Sequence, residues 1–584
     1  MNIKASDYIA QFFVDKGITT IFGYIGGMIT HLVDSIDRNP NIRFIQTYHE
    51  QTAAIAAEGY ALESEKFGVA IATSGPGATN LITGIADAYF GSIPTIFITG
   101  QVNTYEYKYD KPIRQQGFQE TDVVSIVKPV TKYAVMVNDA SRLKYELEKA
   151  LHIATSGRKG PVLIDLPMDI SRAQINPADM PSYIPEYDSV PVDIDWDKII
   201  NTIASSERPL FLLGGGCQES REILNDYIAS SGVPFVTSLM GRGAIDETLP
   251  GYSGMIGSYG NRCANMAVSQ CDLLIALGTR LDTRQTGARI DGFLPEGKII
   301  HVDIDNTELS NHRLKNRINV NCSVDDFIVS LRDRGISIKS SGKWTDWVKR
   351  IVAQYNQEEE VKRFVSNKAP YKFFEVFNEV SCENSVITTD IGQNQMWAAQ
   401  SVRLKKGQKF FTSGGLAPMG FSLPAAIGAS FASPEKTVYC LNGDGGFHMA
   451  CQSLLLISQY SLNVKVIVLN NEALGMITQF QHLYFNDNMA ATVEEGGYVT
   501  PNIQAMAVAY KIPYKRLTVN NLNEVALKES FGIGPAIVEY VIEGLTTVSP
   551  KLEYNQPIYN PSPYLPESEL VSVMNKLDND VQTE

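Results

Sequence analysis

Short, continuously apolar, β-branched runs recur along the chain, each bounded by Gly or Pro and separated from the next by a helix-length stretch. Residues 69–73, 95–99, 162–165, 210–213, 273–277, 299–303, 438–441 and 464–469 carry this pattern. Strands apolar on both sides are covered on both sides, and intervening helices make their sheets parallel. The pattern predicts an α/β protein of three doubly wound parallel-sheet domains. Two stretches interrupt it: a proline-rich segment from 175 to about 195, and a charged segment at 356–361. They divide the chain into expected domains at 1–175, 190–340 and 365–550, with a proline-containing tail at 551–584. The first and third share glycine-rich turns at their strand ends.

Composition narrows the function. Lys and Arg total 50 against 64 Asp and Glu, a net charge of −14, which excludes nucleic acid or an anionic membrane as the main partner. No run approaches the roughly 18 apolar residues of a membrane span, and the first residues lack a signal-peptide pattern. Seven scattered cysteines without C-x-x-C, and seven dispersed histidines without H-E-x-x-H, point to free thiols and a cytoplasmic location.

The segment carrying most chemistry is Gly443-Asp444-Gly445-Gly446, with Asn471 placed 27 positions after the aspartate. Both side chains end apolar runs, so both reach a sheet's C-terminal edge, where open α/β folds bind ligands. Two hard oxygen donors there suit Mg²⁺, completed by water, phosphate oxygens and a backbone carbonyl. The glycines let backbone N–H groups approach a diphosphate. Two ordinary strand-end turns would give the same residues.

That spacing is also the thiamine diphosphate (ThDP) motif. Far upstream, Tyr48-His49-Glu50-Gln51 enters a helix of small residues; 74–80 reads Ser-Gly-Pro-Gly-Ala-Thr-Asn, and 390–397 and 413–420 are also in place. Residues 113–122, 275–287 (similar to G-x-R-F-D-D-R-x-T-G) and 301–305 extend the match. From residue 1 to about 565 the chain resembles the large catalytic subunit of acetohydroxyacid (acetolactate) synthase.

The resemblance implies ThDP, Mg²⁺ and FAD as cofactors, and roles for particular residues. Glu50 would share a proton with N1′ of the aminopyrimidine, although a helix-initial Glu also serves the macrodipole. Asp444, Asn471 and the carbonyl of Ala473 would ligate Mg²⁺. Gln393, Asn394, Gly443, Gly445, Gly446 and Met476 would line the ThDP site, with Met419 beneath the bent cofactor and the Ala417 carbonyl on its amino group. Arg158, Gly214, Gly215, Gly216, Ser238, Leu239, Arg280, Asp282, Arg284 and Asp303 match flavin-contacting positions. Gly214–Gly216 follows a strand and would admit a diphosphate, though the G-x-G-x-x-G fingerprint is absent. Phe118, Gln119 and Lys132 match active-site positions, and Arg280 would offer its fork to a keto acid's carboxylate. Glu50 and Asp444 would meet across a subunit boundary, giving a homodimer or homotetramer, with a small regulatory subunit as a further family partner.

Departures cluster on the acceptor side. Ile25, before Gly26, stands for the proline of the family's Gly-Tyr-Pro-Gly-Gly, Ser258 and Tyr259 replace Met-His, and Phe480 replaces an indole. The expected activity is decarboxylation of pyruvate and transfer of the two-carbon unit to a second 2-keto acid. The alternatives are a nucleotide-linked keto-sugar acceptor, a pyruvate oxidase using the flavin, and a catalytically silent assembly protein. Retention of Glu50, Asp444 and Asn471 speaks against the last.

Overall fold

The computed structural model describes residues 2–185 and 194–575. The expected second-domain start at 190 and the tail's end at 576–584 lie outside the described residues. Each expected strand forms, and the strands gather into three six-stranded parallel sheets.

The first sheet comprises β1 (Thr20–Tyr24), β2 (Arg43–Gln46), β3 (Gly68–Ala72), β4 (Thr95–Gln101), β5 (Tyr133–Met136) and β6 (Val162–Pro167). The middle sheet comprises β7 (Pro209–Leu213), β8 (Phe235–Thr237), β9 (Tyr252–Met255), β10 (Leu273–Leu277), β11 (Lys298–Asp303) and β12 (Arg317–Asn321). The third comprises β13 (Val386–Thr389), β14 (Lys409–Phe411), β15 (Val438–Gly443), β16 (Val464–Asn470), β17 (Tyr514–Thr518) and β18 (Ala536–Val541).

The outer sheets have one topology. Their orders are β2-β1-β3-β4-β6-β5 and β14-β13-β15-β16-β18-β17, so the likeness read from glycine turns is a likeness of whole units. The middle order is β9-β8-β7-β10-β11-β12, the doubly wound arrangement of dinucleotide-binding folds. Strand order reverses between β1 and β3, between β7 and β10, and between β13 and β15. Crevices for ligands open at such reversals. The central strands are fully buried, which explains why they read as unbroken apolar runs.

Within one chain the first and third units pack back to back. The helix Glu50–Ser64 lies on the helix Ser422–Ala432 at backbone contact. A Cβ on Gly59 would stand 2.1 Å from the Ala425 carbonyl oxygen, and one on Gly428 would stand 1.9 Å from that of Ala56. Only glycine fits there. Lys436 and Lys409 reinforce the seam through Glu63. The tail crosses the middle unit, held by Arg262, which pairs with Glu360 at 2.8 Å and donates to the carbonyls of Pro561 and Pro563. Both charges are buried, so each depends on the other.

Candidate active site

The third unit brings the expected metal ligands together. Asp444 leaves β15 as the first residue of a short helix, and Asn471 leaves β16. Oδ2 of Asp444 accepts from Tyr498 Oη (3.0 Å) and Thr500 Oγ1 (2.9 Å), while burial pushes its carboxyl above the usual range. The Asn471 amide nitrogen donates to Thr546 Oγ1 at 2.8 Å. Its oxygen then faces Asp444 Oδ1 at 3.3 Å and the Ala473 carbonyl at 3.1 Å. Turning the amide over would give that end a proton, but would also require Thr546 to donate to Asn471. Thr546 has one proton, and it goes to Gln393 Oε1 at 2.6 Å. Three acceptor oxygens therefore converge with no hydrogen among them, an arrangement that a cation satisfies.

Glycines shape the surrounding wall. A Cβ on Gly446 would lie 2.2 Å from Asp390 Oδ1, and one on Gly445 would lie 3.0 Å from the Met419 terminal methyl. Asp390 is buried and accepts backbone N–H from Ile391, Gly420 and Ser422, tying the β13 turn to the 413–422 loop. Asn394 donates to the Asp390 carbonyl at 2.8 Å, so it braces this turn. Ala417 holds φ +59° and donates its N–H to Ser413 Oγ at 2.9 Å. The Ser413 hydroxyl donates to Asp87, which faces Glu58. The remaining oxygens of that buried pair meet no other donor, so one shared proton satisfies them. Met476 is half-buried against the third unit's core.

In the first unit, Glu50 opens its helix and is 6% exposed. Asn80 donates to Glu50 Oε2 at 2.9 Å, and Gly77 leaves the other oxygen room. Ile25 and Gly26 lie at the same β1–β3 reversal, where Gly26 packs on Thr73. Gln119 holds φ +61° against Gly75, and Phe118 is 79% exposed. No hydrogen bond joins Glu50 to the Asp444 cluster. Lys132 stands elsewhere: it donates to the carbonyls of Ile153 and Ser156, and burial lowers it to about 8.

The middle unit opens a cavity of ≈ 730 Å³ at the β7–β10 reversal. Every expected flavin-contacting residue except Gly214 lines it, as do Ser258 and Tyr259. The glycines have a different reason from the one expected. Gly214 and Gly216 face Gly278 across the reversal, where a Cβ would come within 2.2 and 2.9 Å of its backbone. They allow two loops to pack, and need no ligand to explain them. Arg158 is neutralised by Asp305 and Glu308, and Arg280 by Asp282 at 3.2 Å. Asp282 also caps the turn after it. Arg284 is different: among the described residues no carboxylate pairs with it, and its guanidinium lies over the Tyr259 ring at 5.8 Å.

Matches to known proteins follow the same three units. Residues 3–126 match the thiamine pyrophosphate enzyme N-terminal TPP binding domain, 196–331 its central domain, and 390–540 its C-terminal TPP binding domain. An acetolactate synthase of Arabidopsis thaliana is 36% identical over 530 residues, covering 88% of this chain and 78% of that one. The probable acetolactate synthase large subunit of Methanocaldococcus jannaschii is 37% identical over 562 residues, covering 93% and 92%. The chain belongs to the acetolactate synthase family. Membership makes ThDP the cofactor of this chain. Among the described residues no helix is long and apolar enough to cross a membrane.

Sequence reasoning gave no role to four side chains that hold the candidate site residues. Thr546, Tyr498 and Thr500 hold Asn471 and Asp444 from loops whose spacing carries no signature, whereas Asn80, which donates to Glu50, ends a short helix within the quoted 74–80 motif that had been given no role. Asp390 lay within a quoted motif without a role. Its burial and its three backbone bonds supply one.

Proposed function

We propose that this protein decarboxylates pyruvate and transfers the two-carbon unit to the keto carbon of a second 2-keto acid. The supporting observation is the proton-free convergence of Asp444, Asn471 and Ala473 oxygens beside glycines that leave room for a diphosphate. When bound, ThDP supplies a carbon nucleophile and the electron sink that permits loss of CO₂.

The chain's own residues hold and orient. Asp444, Asn471 and the Ala473 carbonyl hold Mg²⁺, whose charge meets the diphosphate of a protein that is net −14 overall. Gln393, fixed by Thr546, lines the same pocket. Met419 would lie beneath the bound cofactor, and the Ala417 carbonyl would accept from its amino group. Glu50, oriented by Asn80, holds or releases the proton at N1′. The ≈ 730 Å³ cavity is of a size for FAD, with Arg284 its one uncompensated cation among the expected contacts.

Glu50 and Asp444 sit on separate units and share no hydrogen bond, so the site is completed by a second copy of the chain. Exposed Tyr48, Phe118 and Met449 supply apolar surface for that contact. The free thiols fit the cytoplasm, and a small regulatory subunit is the partner expected of the family.

Purified protein with ThDP, Mg²⁺ and pyruvate should release CO₂ and form acetolactate. Glu50→Gln should slow exchange of the thiazolium C2 proton by orders of magnitude while leaving the fold intact. Unchanged exchange would remove Glu50 from its role, and oxygen uptake matching turnover would favour an oxidase.

A further inference from the structure

We propose that Lys551 recognises the anionic group of the carbonyl acceptor; the inference rests on the carboligase reading above. Lys551 starts the tail. Its Nζ stands 5.8 Å from the Phe480 ring centroid and 5.9 Å from that of Tyr484, rings that are themselves 4.8 Å apart. Both rings remain 46% exposed, so this aromatic surface faces outward beside the ammonium.

The ammonium has no directly paired carboxylate among the described residues. Among the described residues Nζ makes neither a hydrogen bond nor an ion pair, and nearby Glu553 is engaged by the Tyr564 hydroxyl at 2.7 Å. Burial lowers Lys551 from the ordinary lysine value, and the charge of nearby Glu553, which forms no ion pair with it, offsets only part of that dehydration. The aromatic faces offset only part of that cost.

Position gives the cation a purpose. Leu552 N–H donates to the Ser258 carbonyl at 2.6 Å, and Ser258 N–H donates to the Arg284 carbonyl at 2.8 Å. The tail is thereby stitched to the loop on which this chain departs from its family. Arg284, over the Tyr259 ring, and Lys551, over the Phe480 and Tyr484 rings, are tied through Ser258, and neither forms an ion pair among the described residues. An acceptor with an apolar body and one anion fits such a surface: the rings take the body, and a point charge on a flexible stem takes the anion. If Lys551 served only to fasten the tail over the rings, its loss would affect every acceptor alike.

The test uses the full-length holoenzyme with pyruvate as donor and three acceptors: 2-ketobutyrate, dihydroxyacetone phosphate and neutral benzaldehyde. Lys551→Met should raise the KM for an anionic acceptor about 10–100-fold. CO₂ release, kcat at saturating acceptor and the KM for benzaldehyde should stay unchanged, and Lys551→Arg should restore the loss. Which anionic acceptor responds tells a carboxylate from a phosphate. Independently of turnover, that same acceptor should protect Lys551 from acetic anhydride, read by peptide mass spectrometry. Equal losses on all three acceptors, or no selective loss, overturn the inference, as does labelling that no acceptor suppresses. A wild-type protein releasing no CO₂ from pyruvate sinks the carboligase reading instead, and the labelling then decides Lys551 alone.

Discussion

Asp87→Asn should stabilise the protein at neutral pH. Asp87 is buried against Glu58, and burial raises it from 3.8 to about 6, while Glu58 is raised farther and keeps the shared proton. Between these values the native state binds more protons than the unfolded chain, so stability falls as pH rises from about 4 to about 6. Two pKa units at 1.36 kcal/mol each place the penalty at ~3 kcal/mol once Asp87 is ionised. Asparagine carries no such charge, can donate to Glu58 and still accepts from Ser413. Urea unfolding of both proteins at pH 4.5, 6 and 7.5 measures the difference. It should be about 1 kcal/mol at pH 4.5, where the unfolded aspartate is already mostly ionised, and grow to as much as ~3 kcal/mol in the variant's favour at pH 7.5. A difference independent of pH, or a variant less stable at pH 7.5, would refute the shared-proton account.

Other consequences are as direct. Arg262→Met should cost ~3–5 kcal/mol by stranding Glu360, and adding Glu360→Met should recover most of it; thermal melts of both show whether it does. Gly446→Ala should weaken ThDP binding, since its methyl needs Asp390 to retreat by most of an ångström from three backbone bonds; cofactor titration by fluorescence reports the loss. Dialysis against EDTA should lower the melting temperature of the ThDP-bound protein, with Mg²⁺ restoring it. Asp444→Asn should remove that response, and a persisting response would place the cation elsewhere.

The sheets were legible because parallel strands buried on both sides leave unbroken apolar runs such as 273–277. Edge strands were harder: β17 carries Lys515 and Arg516, both exposed, and no run announces it. Asp444 and Asn471 were legible because each ends such a run. Thr546 and Tyr498 were not, because loops bring them in from 50 to 100 residues away with no fixed period. The glycines at 214–216 show the opposite error, a motif with a ligand-binding look that two loops need for their own packing. Lys551 illustrates a third case, since a single lysine acquires meaning only when its place over two rings, with no ion pair among the described residues, is seen.

The glycine seam between the two outer units has a consequence for how the chain is made. Ala56 and Gly428 meet at backbone distance, yet about 370 residues separate them. At ~5–20 residues per second the first unit waits roughly 20–70 s for its mate to leave the ribosome. Throughout that time the face of the Glu50–Ser64 helix that carries Ala56 and Gly59 has nothing to cover it. The N-terminal third is synthesised first but completed last, and a nascent chain halted at about residue 340 should be the form that chaperones hold.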